Sequence, residues 1–234
     1  MLTPNFKKMT MHSYRHYSFD LWYTLIKTNP KNSFKHERAK HIHQKYGKNL
    51  EYLEVYRIIR EVEKWGDAIN QMNGKCISPL EMYAMIIFKI QGHLGGISTL
   101  DMEILYKELE IMFLEHHPVI YDENTIAVLD ELIARGKTLS LLCNTGFIRG
   151  KTLDMLLEKL GIRDKFLFRI YSDEVGLSKP NREIFRLVNK ELPYDTEDII
   201  HIGDNPIADG VGAQEYGFGH MIINSNSYTI KDIL

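Results

Sequence analysis

Short apolar runs at residues 17–21, 138–143, 166–172 and 199–204 each end in a polar or acidic side chain, and a fifth, 220–224, follows a glycine-rich turn. Each has the length of a strand. Their apolarity is continuous rather than alternating, which predicts burial on both faces, as in a parallel sheet. Between them lie amphipathic segments. Residues 125–135 place Ile126, Leu129, Leu132 and Ile133 on one side and stop at Gly136; 151–160 repeats the pattern and stops at Gly161; 182–191 ends before Pro193. Strand and helix therefore alternate from about Pro118 to the C-terminus. That alternation predicts an α/β fold with a doubly wound sheet and ligands at the carboxyl ends of the strands.

Residues 29–117 follow a different period. Tyr52, Val55, Tyr56, Ile59 and Val62 recur at three- and four-residue steps, as do Met82, Met85, Ile86 and Ile90, with breaks at Gly47, Gly74, Pro79 and Gly92, Gly95 and Gly96. Four or five helices are expected here, inserted between the first and second strands above the carboxyl edge of the sheet, where they can act as a lid. The predicted division is a Rossmann-like core, 14–28 and 118–234, with an all-helical cap, 29–117. The methionines near Met82 read as cap core. Trp65, Asn70 and Asn73 are candidates for the substrate-facing side of the cap.

Composition excludes several classes. In 234 residues, 44% are hydrophobic and 26% charged, with a net charge of -2, so nothing points to nucleic acid. No stretch approaches the ~20 apolar residues of a membrane span, and the N-terminal segment has charges but no apolar run of the secretory kind. Two cysteines, Cys76 and Cys143, provide neither a disulfide framework nor metal-ligand spacing. A reducing, cytoplasmic setting and a small-molecule ligand are expected, for a monomer or homodimer.

Four stretches carry candidate chemistry. Asp20 closes the first apolar run, where a carboxylate can be a nucleophile, a metal ligand or a turn cap. Lys179, followed by Pro180, can neutralise an anion. Asp204 and Asp209 flank a tight turn after the 199–204 run and with Asp20 could hold one Mg2+. Cys143, Asn144 and Thr145 end another run, with backbone amides suited to an anion if a helix starts there. His36, His41, His43, His116 and His117 lack the spacing of a shared zinc face and read as solvated.

Taken in order, FDLWYTL, LLCNTG, GLSKP and GDNPIAD resemble the motif set of the haloacid dehalogenase-like hydrolase superfamily, in the subfamily with a helical cap after the first motif. The resemblance implies that Asp20 is a nucleophile forming an aspartyl intermediate and that Thr24 fixes its loop. It implies that Lys179 neutralises Asp20 and the transferring group, with Cys143, Asn144 and Thr145 as phosphate contacts. Asp20, Asp204 and the main-chain carbonyl of Trp22 would surround Mg2+, with Asp209 one step behind, and the substrate would be a small phosphorylated metabolite.

The chain also departs from that pattern. Phosphatases of the superfamily usually carry an acid two positions after the nucleophile, and here Trp22 stands there; an indole neither gives nor takes a proton. General acid–base catalysis contributes ~10²–10⁴-fold, about 3–5 kcal/mol of barrier. Cys143 replaces a hydroxyl residue and Tyr23 a glycine. Two alternatives follow: a catalytically reduced protein that binds a ligand or partner, or a 2-haloacid dehalogenase, whose attack on carbon needs no leaving-group acid and whose carboxylate substrate would want a cap arginine, with Arg38, Arg57 and Arg60 as candidates.

Overall fold

Five of the apolar runs pair as one parallel sheet. The computed structural model describes residues 14–225 and 228–234; the N-terminal segment read for a secretion signal lies, over residues 1–13, outside the described residues. In chain order the elements begin with β1 (His16–Phe19), β2 (Ile26–Lys27), α1 (Phe34–Tyr46), α2 (Tyr52–Asn73), α3 (Pro79–Gln91), α4 (Thr99–Glu115) and β3 (Val119–Ile120). They continue with α5 (Thr125–Ala134), β4 (Thr138–Cys143), α6 (Gly150–Lys159), β5 (Phe168–Tyr171), α7 (Ser172–Val175), α8 (Arg182–Lys190), β6 (Ile199–Gly203), a π-helical turn (Pro206–Val211), α9 (Gly212–Tyr216) and β7 (Gly219–Ile222). The sheet order is β5-β4-β1-β6-β7, parallel throughout. The chain leaves β1 in both directions, so the carboxyl ends of β1, β4 and β6 border one crevice.

The strands are shorter than the apolar runs. Leu21 and Phe166 are buried but unpaired: Leu21 sits in the turn after β1, and Phe166 packs edge-on against Phe19. Burial, not ladder pairing, made them apolar. Helix α7 replaces the end of the 166–172 run. Its C-terminus, Gly176, adopts φ 70°, the left-handed conformation that ends helices.

Both faces of β1 are covered, and one carries a buried histidine. His16 Nδ1 lies 2.8 Å from Thr138 Oγ1 and Nε2 2.8 Å from Ser140 Oγ, with the ring stacked on Phe168. Burial lowers its pKa from 6.5 to about 3. Because the folded value lies below the unfolded one, the unfolded chain alone takes up a proton between these limits, and stability falls as pH drops below 6.5. His16 should contribute a loss of about 2 kcal/mol between pH 7 and pH 5. Urea unfolding of wild type against His16→Gln at both pH values measures this; equal pH slopes would disprove it.

Four helices form the insertion among the described residues. Their ends coincide with the breaks in the pattern: Gly74 and Gly92 end α2 and α3 in the left-handed conformation, and Ser78 and Ser98 start α3 and α4 with reciprocal capping bonds to Glu81 and Asp101. Where the chain leaves and rejoins the core, β2 and β3 pair antiparallel, Ile26 with Ile120 and Lys27 with Val119. One continuous cluster of buried residues then runs from Phe19 and Leu21 through Phe113 and Phe34 to Ile59 and Ile86.

A second tie joins the helices to the core away from that ribbon. Cys76 N donates to Gly176 O (3.2 Å), Ser178 N to Gly74 O (3.1 Å), and Asn181 Nδ2 also to Gly74 O (3.0 Å). Gly74 has φ 67°, and a Cβ there would come within 2.6 Å of Asn181 Nδ2. Gly74→Ala should therefore cost about 1–2 kcal/mol in urea unfolding through left-handed strain, before any displacement of Asn181 is counted. A neutral result would mean that the contact is loose.

Candidate active site

The loops that follow β1, β4 and β6 bring the scattered acids and the lysine together. Asp20 is the residue after β1, and its N–H still donates to Ile202 O of β6 (2.8 Å), which extends the ladder by one bond and fixes the carboxyl at the sheet edge. Lys179 is 1% exposed. Its Nζ donates to Asp20 Oδ1 (2.8 Å), Asp209 Oδ1 (2.7 Å) and Leu142 O (2.7 Å). All three ammonium protons are thus committed within the protein, so in this state the lysine reaches an incoming anion by its field alone. Thr24 donates its hydroxyl to Asp20 Oδ2 (3.0 Å), which holds the carboxylate from the other side.

Asp209 is anchored deeper. His201 Nε2 lies 3.0 Å from Oδ1, and Asn205 N donates to Oδ2 (2.9 Å). A carboxylate only accepts, so His201 carries its proton on Nε2 and its Nδ1 accepts from Ser18 Oγ (3.0 Å). Burial keeps His201 neutral, with its pKa lowered to about 4. The acid lies so close over Gly203 that a Cβ there would fall 2.1 Å from Asp209 Cγ, which makes glycine the residue for that strand end.

Asp20, Asp204 and Asp209 each offer an oxygen, all within 4.8 Å of one another. Burial pushes Asp204 up to about 7, helped by the charges of Asp20 and Asp209. Asp20 is also raised, by burial and by Asp209 against the pull of Lys179. Asp209 is held low despite its burial, by Lys179 and His201. With all three ionised, the carboxylates against one ammonium leave two negative charges, the complement of one divalent cation. The donors are hard oxygens, of the kind Mg2+ takes.

The expected phosphate contacts on the β4 loop are arranged differently. Cys143 is fully buried, its thiol lies 3.5 Å from Asn144 O, and it does not reach the cavity. The Asn144 side chain is turned to the Lys179 backbone: Oδ1 accepts from Lys179 N (2.9 Å) and Nδ2 donates to Lys179 O (3.0 Å). It positions the lysine loop. Thr145 does line the cavity, with its N–H and hydroxyl on Ser172 Oγ (3.0 and 3.1 Å). No helix starts at this turn. Helix α6 begins at Gly150, whose N–H is occupied by Asp173 (3.1 Å).

A cavity of about 240 Å³ opens from this cluster toward the helices. Its core side includes Asp20, Trp22, Thr145, Lys179 and Asp204; its cap side includes Phe34, Arg38, Glu63, Asp67 and Phe113. The half-buried Trp22 indole packs against Phe113 (centroids 6.3 Å apart). Tyr23 takes φ 57°, the conformation for which glycine is suited, and holds it through Tyr23 N to Ile26 O (2.7 Å) and Asn224 Nδ2 to Tyr23 O (2.8 Å). Trp65, Asn70 and Asn73 do not line the cavity. Trp65 lies under Lys89, and the two asparagines receive backbone N–H groups of Ile77 and Lys75. Sequence reasoning missed Ser172 and the roles of Ser18 and His201; the eight-residue step from His201 to Asp209 across one strand-end turn was the available signal.

Comparison with known proteins identifies the class. The family model described as haloacid dehalogenase-like hydrolase matches residues 14–217. The chain belongs to that hydrolase family. It is 26% identical over 207 residues to the glyceraldehyde 3-phosphate phosphatase of Methanothermobacter thermautotrophicus, covering 88% of this chain and 84% of the relative. Its fold is similar to the HAD-hydrolase YfnB of Bacillus subtilis, solved bound to magnesium (TM-score 0.69, 16% identity, 92% and 90% of the two chains covered). It is also similar to the 2-haloacid dehalogenase of Pseudomonas syringae pv. Tomato DC3000 (TM-score 0.64, 19% identity, 90% and 86% covered). Among the described residues no helix is long and apolar enough to cross a membrane.

Proposed function

We propose that the protein is a cytoplasmic, Mg2+-dependent phosphatase of small phosphorylated metabolites, with Asp20 as nucleophile. The observation that carries this reading is the Asp20–Lys179–Asp209 cluster beside Asp204, two negative charges in excess, at the mouth of a small cavity. Asp20, Asp204 and the Trp22 carbonyl would hold the ion, with Asp209 behind them; bound there, it would offset the charge of phosphoryl oxygens. Asp20, steadied by Thr24, attacks phosphorus and releases the leaving group, and water then cleaves the aspartyl phosphate. Lys179 keeps Asp20 ionised for that attack despite its burial. The archaeal relative's phosphatase name supports the same class.

Trp22 supplies no proton, so leaving groups that need none are favoured: acyl and aryl phosphates above alkyl ones. With Mg2+, release of inorganic phosphate from a panel that includes p-nitrophenyl phosphate and acetyl phosphate is the expected result. No release from any member counts against a phosphatase. Trp22 also favours a second reading, a catalytically reduced protein that binds a phosphorylated ligand, for which ligand-induced thermal shifts without turnover would decide. Dehalogenation is disfavoured by the surplus carboxylates, and halide release from 2-haloacids without metal would be needed to restore it.

A further inference from the structure

Helix α1 carries an arginine where its sequence calls for an apolar residue. Phe34, Arg38 and Ile42 are spaced four apart, so they share one face, and with Ala39 they are the buried residues of the helix. Arg38 is 3% exposed. Among the described residues it has no ion pair: no carboxylate lies within 4.0 Å, whereas Glu63, which shares the cavity wall, is already paired with Arg60 and with Lys35. Its Nε has no hydrogen-bond partner.

The rings in contact with the guanidinium are neutral, and the carboxylates that share its cavity wall, Glu63 and Asp67, form no ion pair with it. It lies 4.2 Å from the centre of the Phe147 ring and 5.3 Å from that of Phe34. The Tyr83 hydroxyl is close enough to interact with the guanidinium, but no hydrogen bond of good geometry joins them, and a neutral phenol offers no counter-charge. Aromatic faces attract a cation, yet do so less than a carboxylate does, and do not replace the water lost on burial. A buried arginine with no paired anion, lining the same cavity as Asp20 and Lys179, is a half-finished ion pair. The planar fork of the guanidinium matches a carboxylate bidentately.

We propose that Arg38 receives a carboxylate of the substrate, making the preferred class small phosphorylated carboxylic acids, with the phosphoryl group at Asp20 and the carboxylate at α1. This rests on the phosphatase reading for the identity of the first anion, but its test does not need turnover. Calorimetry at fixed free Mg2+ compares two non-hydrolysable probes, phosphonoacetate and ethylphosphonate, which differ in the carboxylate. Wild type should bind phosphonoacetate at least about tenfold more tightly. Arg38→Met should bring the two within about twofold, and Arg38→Lys should keep an intermediate preference. The melting temperature of Arg38→Met should be equal or higher, since a well-packed apolar residue replaces an uncompensated charge; a purely structural arginine predicts the reverse.

Equal affinities in wild type overturn the proposal, as does a preference that survives Arg38→Met. Should Arg38→Met fail to fold, the wild-type preference and its weakening in Arg38→Lys decide in the same way. Phosphate release from p-nitrophenyl phosphate, acetyl phosphate and a set of small phosphorylated carboxylic acids is measured in parallel. Turnover without carboxylate preference sinks the Arg38 assignment alone, and preference without turnover sinks the phosphatase reading alone.

Discussion

Asp20→Asn should lower phosphate release by ~10⁴-fold or more, because an amide nitrogen or oxygen does not replace a carboxylate as attacking group. The substitution is close to isosteric, and the contacts around it can survive. The amide oxygen can accept from Lys179 Nζ, as Asp20 Oδ1 now does at 2.8 Å, and the amide nitrogen can donate to Thr24, whose hydroxyl now donates to Oδ2 at 3.0 Å and is free to turn round. Stability provides the control. Asp20 has its pKa raised by burial and by Asp209, so at neutral pH its ionised form opposes folding in the ion-free protein. With a folded pKa above the unfolded one, the penalty is absent at low pH and grows as pH rises through the folded value. The thermal midpoint of Asp20→Asn without Mg2+ should therefore equal or exceed that of wild type at pH 7. Activity retained within tenfold would remove Asp20 from the chemistry. A large fall in the midpoint would instead mean that the carboxylate is chiefly a structural partner of Lys179.

The sheet was legible because β1, β4 and β6 are buried on both sides, and a strand so placed has few polar options. The breaks in the insertion were legible for a local reason: glycine ends a helix in the left-handed conformation, and proline opens one. What stayed hidden depends on contacts between distant segments. Asn144 follows a strand end in sequence, and nothing near it reveals that its amide clasps the backbone of Lys179, 35 residues away. The β2–β3 ribbon has two residues on each side, too short for any period to register. Arg38 sat among three cap arginines with equal claims. The four-residue step from Phe34 through Arg38 to Ile42 set it apart, but an arginine on an apolar stripe reads as noise until its partner is seen to be missing.

The convergence of Asp20, Lys179 and Asp204 was legible in another way. Each closes or follows an apolar run, and strand ends in a parallel sheet meet at one edge whatever lies between them in the chain. Side-chain direction was not so readable. Cys143 is the last residue of its strand and points into the core, whereas Thr145 lies two residues past the strand end, where alternation no longer applies, and lines the cavity. Of the two departures from the family pattern, Trp22 is on the cavity wall and Cys143 is not.

Trp22→Asp should raise kcat/KM for alkyl phosphates by ~10²–10⁴-fold while changing that for p-nitrophenyl phosphate by less than about tenfold. The difference arises because an alkoxide needs a proton as it leaves and a nitrophenolate does not. Position 22 is on the cavity wall, against Phe113, which itself packs on Phe34. A carboxyl group in such company has its pKa raised, which suits a group that must deliver a proton near neutrality. The indole is half-buried, so its loss should cost about 1–3 kcal/mol of stability, below the range for a fully buried aromatic. The comparison of two substrates within one variant cancels that cost, because partial unfolding lowers both rates alike. A Trp22→Asn variant, of the same size but without an acidic proton, completes the design. If Asn raises the alkyl rate as much as Asp does, relief of crowding by the indole is the cause and proton supply is not. If neither variant gains, Trp22 is compatible with a substrate whose leaving group departs unaided, and acyl phosphates become the class to pursue.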